Sequence, residues 1–266
     1  PLLRDPVAPP AADVVVMETT YGDRLHKSID HSVEELYQAI EDTFGRRGNV
    51  IIPTFALERA QEILYFLREG VAKERLRPDT QVFLDSPMAI SATRIFERHP
   101  QCYEDHIAAL FREGGDPFDL PGLHFTRETA ESVAINRIRS GAVIMAGSGL
   151  CPGGRVRHHL KHHIWREDAS IVFVGYAARG TLARAIIDGA AHVKLFGEEV
   201  PVRAHIHTIN GFSAHADRDE LLAWQQRIGP SRTILVHGDE DVMRSFSRLL
   251  TDTTVGMPEL GEVLEL

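Results

Sequence analysis

The chain has 266 residues, 43% of them apolar and 25% charged, enough for one large domain or two smaller ones. Its net charge of −9 excludes a surface built throughout to attract nucleic acid, although a local basic cluster or a bound metal ion would override that balance. The two cysteines, Cys102 and Cys151, exclude a disulfide framework and suit a reducing cytoplasm; no apolar run reaches the ~20 residues of a membrane span, and the opening residues show no leader pattern.

The first residues, "PLLRDPVAPPAAD", are proline-rich and read as a connector inside a longer protein or as a disordered native tail. "DVVVME" follows as a buried strand. "SIDHSVEELYQAIEDTFGRRG" spaces Val33, Leu36, Tyr37, Ile40 and Phe44 at helical intervals and stops at glycines. "NVIIPTF" predicts a strand, "ALERAQEILYFLREG" a helix, "QVFLDSP" a strand and "MAISATRIFERH" a helix. Residues 112–123 are rich in Gly, Pro and Asp and read as a loop. A helix at "ETAESVAINRI", a strand at "GAVIMAGSG", a helix at "GGRVRHHLKHHI", a strand at "SIVFVGY" and a helix at "GTLARAIIDG" come next. Strands near "HVKLF" and "VRAHIHTIN", a helix at "DRDELLAWQQRI", a strand at "RTILVHG" and a helix near "EDVMRSFSRLL" complete the alternation. Such alternation predicts an α/β architecture with a largely parallel sheet, whose functional loops gather at the carboxyl ends of strands. Glu18, Asp85, Ser148, Tyr176 and His237 all fall at such ends.

Glu18 ends a buried strand and therefore needs a partner, either a histidine it would orient or Arg24 nearby. His237 in "LVHGDE" is placed as a metal ligand or as a structural histidine. His215 in "FSAHAD" lies between small residues, in a tight loop with Ser213 and Asp217 close by, and the His215/Asp217 spacing would also suit a metal. The loop "GSGLCPGGR" offers Ser148, Gly149 and Arg155 as phosphate contacts ahead of a helix, with Ser213 as a further candidate. It lacks both the P-loop ending and a dinucleotide fingerprint. Cys151 has no identifiable base and reads as a passive thiol. In "RVRHHLKHH", His158/His162 and His159/His163 are i, i+4 pairs that would suit zinc with Glu167 or Asp168; the simpler reading is a solvated helix face able to touch phosphate.

In combination these stretches are specific. "METTYGDR", "PTFALERAQE", "DSPMA", "GSGLCPGGRVRHHLK", "FVGYAARGTLARAIIDGA", "INGFSAHADRDELLAW" and "LVHGDE" occur in an order that resembles the β-CASP branch of metallo-β-lactamase-fold RNA-processing nucleases, from about Asp13 to about Leu250. The resemblance implies the C-terminal part of a metallo-β-lactamase-like αββα domain with an inserted parallel-sheet cap. The lactamase-like segments would be 1–22 and 208–266, and the β-CASP cap 23–207. It implies a zinc-dependent ribonuclease in which Glu18 and His215 are catalytic and His237 ligates metal. His215 would act as general acid for the leaving oxygen, with Glu18 holding it in place. The family's H-x-H-x-D-H zinc signature does not occur here, so the chain is expected to lack the N-terminal zinc-binding half and to hold at most a partial Zn2+ site. RNA, that missing half and a second copy of the chain are the expected partners. The alternatives are a catalytically inactive β-CASP relative that binds RNA or protein, and an unrelated α/β enzyme using the Gly-rich loop. The main reading requires folding to carry Glu18, His215 and His237 into mutual reach.

Overall fold

The computed structural model describes residues 2–7 and 9–265. The chain divides into two compact units, Pro1–Arg4 with Ser28–Ser213 and Asp5–Lys27 with Ala214–Leu266.

In the larger unit, β2 (Val50–Pro53), β3 (Gln81–Asp85), β4 (Leu123–Phe125), β5 (Ala142–Ala146), β6 (Ser170–Phe173) and β9 (His205–Thr208) form one parallel sheet in the order β4-β3-β5-β2-β6-β9. The central strands are apolar runs rather than alternations, because both faces are covered: every residue of β2, β5 and β6 is buried. Each Val, Ile or Leu sheltered there contributes about 1.5–3 kcal/mol of transfer free energy. One cluster under the sheet joins Val50, Val82 and Met145 to Leu36 and Ile40 of α1 (Ile29–Gly45) and to Leu64 and Leu67 of α2 (Arg59–Ala72). Another joins Ile51 and Ile171 to Val156, Leu160 and Ile164 around α6 (Val156–His163). Start signals act as the sequence suggests: Ser28 accepts from His31 N to cap α1, and Ser86 caps α3 (Pro87–Phe96) with Pro87 at its first turn.

Helices α4 (Asp105–Arg112), α5 (Thr129–Ile135) and α7 (Leu182–Ile187) complete this unit, with an antiparallel hairpin of β7 (His192–Leu195) and β8 (Glu198–Pro201). Phe196 and Gly197 turn the hairpin with φ of 51° and 87°, as a two-residue loop matched to strand twist demands. The expectation of parallel pairing therefore holds for the main sheets but not for this ribbon. The sequence reading also missed α4, β4 and β8.

The smaller unit contains β1 (Val14–Glu18), β10 (Arg232–Val236) and β11 (Thr254–Gly256), all parallel in the order β1-β10-β11. Helices α8 (Arg218–Ile228) and α9 (Glu240–Ser247) accompany them. Val15 and Met17 of β1 pack with Leu235, Leu221, Ile228 and Phe246, whereas Val16 between them is exposed, the period-two signature of a one-sided strand. Among the described residues, no helix is long and apolar enough to cross a membrane.

Candidate active site

The parallel register decides what meets at the end of the small sheet. Glu18 lies beside Val236, so the last residue of β1 reaches the carboxyl end of β10, one residue short of His237. The chain then turns through Thr19 to Gly22, fixed by Gly22 N donating to Thr19 O at 3.1 Å and Thr19 Oγ1 donating to Val236 O at 3.2 Å. His237 adopts a left-handed backbone, φ 50°, an unusual state for a residue with a side chain and one that clusters at functional sites. Gly238 follows because a Cβ there would sit 2.4 Å from Thr19 Oγ1.

His215 arrives on the segment that leads into α8. Asp217 caps that helix, accepting from Asp219 N and Glu220 N at 3.0 Å each, while Glu220 returns a bond to Asp217 N at 2.9 Å. Asp217 also accepts from His26 N at 3.1 Å, and His26 Nε2 donates to His215 O at 2.9 Å. The His215/Asp217 pair is thus a histidine followed by a helix cap, not the two-ligand metal motif that its spacing would allow.

The convergence is tight. Candidate donor atoms of Glu18, His215 and His237 lie within 4.8 Å of one another. Glu18 Oε1 is 3.3 Å from His215 Nδ1, and Glu18 Oε2 accepts from Thr20 N at 2.6 Å. The partner of Glu18 here is the histidine; Arg24 pairs with Asp23 instead. The imidazoles of His215 and His237 stack at 5.3 Å with 28° between their planes. Burial pushes the Glu18 carboxyl up, but bonds from His215 and Thr20 outweigh it and bring the group down to about 2. The carboxylate is therefore charged at neutral pH and faces His215 Nδ1.

The sequence-based site list omitted Thr20, His26 and the capping role of Asp217. Thr20 Oγ1 lies 3.3 Å from the Nδ1 atoms of both His215 and His237 and donates to His237 O at 3.1 Å. The hydroxyl therefore stands between the two rings and ties them to the His237 backbone. The only sequence signal for it is the position, two residues after the strand-end carboxylate.

Two family models match in chain order: a β-CASP domain over residues 60–186 and a Zn-dependent metallo-hydrolase RNA specificity domain over residues 199–258. "Ribonuclease TTHA0252" of Thermus thermophilus is 44% identical over 263 residues, covering 98% of this chain and 60% of that protein. "Transcription termination factor FttA" of Methanocaldococcus jannaschii is 32% identical over 248 residues (90% of this chain, 39% of that protein), and its counterpart of Thermococcus kodakarensis is 34% identical over 240 residues (86% and 37%). The chain belongs to the β-CASP family of metallo-β-lactamase-fold RNA nucleases. Its two units fit that fold, a lactamase-like segment with a β-CASP cap. It spans about three fifths of the Thermus relative and under two fifths of the archaeal ones.

The remaining candidates of this β-CASP chain belong to the larger unit. Ser148 and Gly149 follow β5 in a loop that folds back, with Val156 N donating to Gly147 O at 3.0 Å. Arg155 turns inward: Nη1 donates to Asp85 Oδ1 at 2.7 Å and to Thr126 O at 2.9 Å, and Nη2 to Arg127 O at 2.6 Å. The structure thus engages the guanidinium in the scaffold rather than presenting it at the loop mouth. Ser213 is half-buried at the last position of this unit, its N–H on Asn210 O at 3.3 Å. Cys151 is buried, which pushes its thiol up to about 12 and makes it inert. The histidine-rich helix is solvated on one face only. His159 and His163 are buried, with His159 Nε2 on Asp85 Oδ2 at 2.7 Å, whereas His158 and His162 are exposed. The His158/His162 pair lies on the solvated side and the His159/His163 pair on the buried side.

Proposed function

We propose that the full-length protein is a zinc-dependent ribonuclease that hydrolyses RNA phosphodiester bonds, with Glu18, His215 and His237 in its catalytic centre. The observation that carries this reading is the convergence of those three side chains, distant in sequence, at one sheet end. The donor chemistry suits zinc in part. His237 has Nδ1 against Thr20, which leaves its lone pair on Nε2 as a ligating imidazole requires, and Thr20 is the outer partner that fixes the ring. Glu18 and His215 already bond each other and suit an orienting pair better than two further ligands. A catalytic zinc takes about three protein ligands, so the other donors come from chain beyond these 266 residues. When bound, zinc would supply an activated water and neutralise charge on the phosphate.

The chain's own residues do the rest. Glu18 fixes the proton on His215 Nδ1, so a protonated His215 presents its second proton at Nε2. That proton goes to the leaving oxygen as the P–O bond breaks, and Glu18 stabilises the imidazolium beforehand. Asp217 and His26 hold the His215 backbone in place from the far side. We assign residues 1–22 and 208–266 to the lactamase-like domain and 23–207 to the cap.

His215→Ala in the full-length protein tests this. Cleavage of single-stranded RNA should fall by about 10²–10⁴-fold with the circular dichroism spectrum unchanged. Wild-type cutting by that variant removes His215 from the chemistry. Full-length protein that carries no zinc and cuts no RNA replaces the enzyme with a binding module.

A further inference from the structure

The motif that the proposed chemistry leaves unused is "RVRHHLKHH". Its helix, α6, buries Val156, His159, Leu160 and His163 and turns Arg157, His158, Lys161 and His162 outward, with exposed Trp165 just past its end. The β7–β8 hairpin completes the face. Phe196, at its tip, has the Arg157 guanidinium 5.0 Å from its ring centroid and the His158 ring at 4.5 Å. Between the end of α6 and β8 runs a groove of about 340 Å³ lined by Lys161, Trp165, Glu198, Val200 and Arg203 among others.

We propose that this face is a second single-stranded RNA contact, separate from the Glu18–His215–His237 cluster and carried by the other unit. This rests on the RNA reading above. Three features select the ligand. Trp165 is 49% exposed, an expensive placement for an indole that no other ring or cation covers among the described residues. An open indole offers a stacking surface to an unpaired base, worth roughly 1–3 kcal/mol, whereas duplex RNA keeps its bases stacked inside. Lys161 and Arg203 line the same groove as Trp165 and Arg157 extends the positive charge along α6, on a chain whose net charge is −9.

The carboxylates present do not close the face. Lys161 pairs with Glu198 at 2.8 Å and Arg203 with Glu167 at 4.0 Å, but both acids are mostly exposed. Such surface pairs are worth at most about 1 kcal/mol and exchange readily for phosphate. Glu199 on the groove rim sets a limit, since it disfavours phosphate at its own position.

Fluorescence anisotropy with a labelled single-stranded RNA of about 20 nucleotides, on full-length protein in a His215→Ala background, decides the matter. Trp165→Ala should weaken binding by about tenfold and Trp165→Phe should restore most of it. Arg203→Glu should weaken binding and flatten its salt dependence by about one phosphate contact. With His215 intact, hydrolysis of bis(4-nitrophenyl) phosphate should be unchanged by any of these variants. RNA affinity within twofold of the parent for both Trp165→Ala and Arg203→Glu overturns the proposal. Loss of a dimer in sedimentation velocity without loss of RNA affinity also overturns it and gives the face to a second copy. If Trp165→Ala weakens binding while even the wild type cuts nothing, the nuclease reading fails and this surface stands.

Discussion

Glu18 and Asp85 stand at the ends of parallel strands in different units, and each accepts a hydrogen bond from a histidine distant in sequence. Both carboxyls are held down at about 2, in each case against the upward push of burial. Their surroundings differ. Asp85 is fully buried and saturated: Thr126 and Arg155 bond Oδ1, and Ser132 and His159 bond Oδ2. The side chains of Glu18 and His215 are 28% and 35% exposed, and an outward imidazole, His237, lies beside them. The same carboxylate–imidazole pairing thus builds a scaffold rivet where both carboxylate oxygens are engaged indoors, and an open cluster where solvent still has access. A shifted carboxyl alone does not distinguish the two cases; saturation of its partners does.

That contrast can be broken by mutation. Asp85→Ala leaves Arg155 and the buried His159 without their carboxylate and should cost about 3–5 kcal/mol of stability in chemical denaturation. A loss below about 1 kcal/mol would remove the rivet. Glu18→Gln should do the reverse, leaving the denaturation midpoint nearly in place while RNA cleavage falls by about 10–100-fold. Acid sharpens the distinction further. Because the folded-state value of Asp85 lies below the ordinary 3.8, its contribution is fully present above about pH 4 and is lost as pH falls toward 2. Midpoints measured across that window should drop, and Asp85→Asn should flatten the drop; an unchanged slope in the variant would assign it to other groups. The smallest effect is expected from Thr20→Val, which keeps the shape but removes the hydroxyl shared by both imidazoles. Cleavage should fall by about three- to tenfold, the alkaline limb of the pH–rate profile should move, and Thr20→Ser should restore both. An unmoved profile would reduce Thr20 to a packing residue.

These comparisons also show what was legible in the sequence. Strand–helix alternation and apolar runs such as "AVIMA" announced the buried parallel sheet, because strands covered on both faces have no polar period to hide behind. β8 was missed because "EEVP" buries only Val200 of its residues, and α4 because "DHIAALFR" is a short helix beside an irregular loop. Within the site, Glu18, His215 and His237 stood out as titratable residues after apolar or small neighbours. Thr20 did not, since nothing in a threonine foretells that parallel register will set it between two rings. Arg155 and His159 misled for the opposite reason: a cation beside glycines and a histidine in a basic run look solvent-facing until a buried carboxylate 70 and 74 residues earlier claims them.

The pairing of β1 with β10 also has a consequence for synthesis. With Thr20 and His237 separated by 217 residues, a ribosome adding about 5–20 residues per second exposes the first strand roughly ten to forty seconds before its mate emerges. The intervening cap can fold during that wait. The Glu18–His215–His237 cluster therefore cannot assemble before the segment carrying His215 and His237 has emerged.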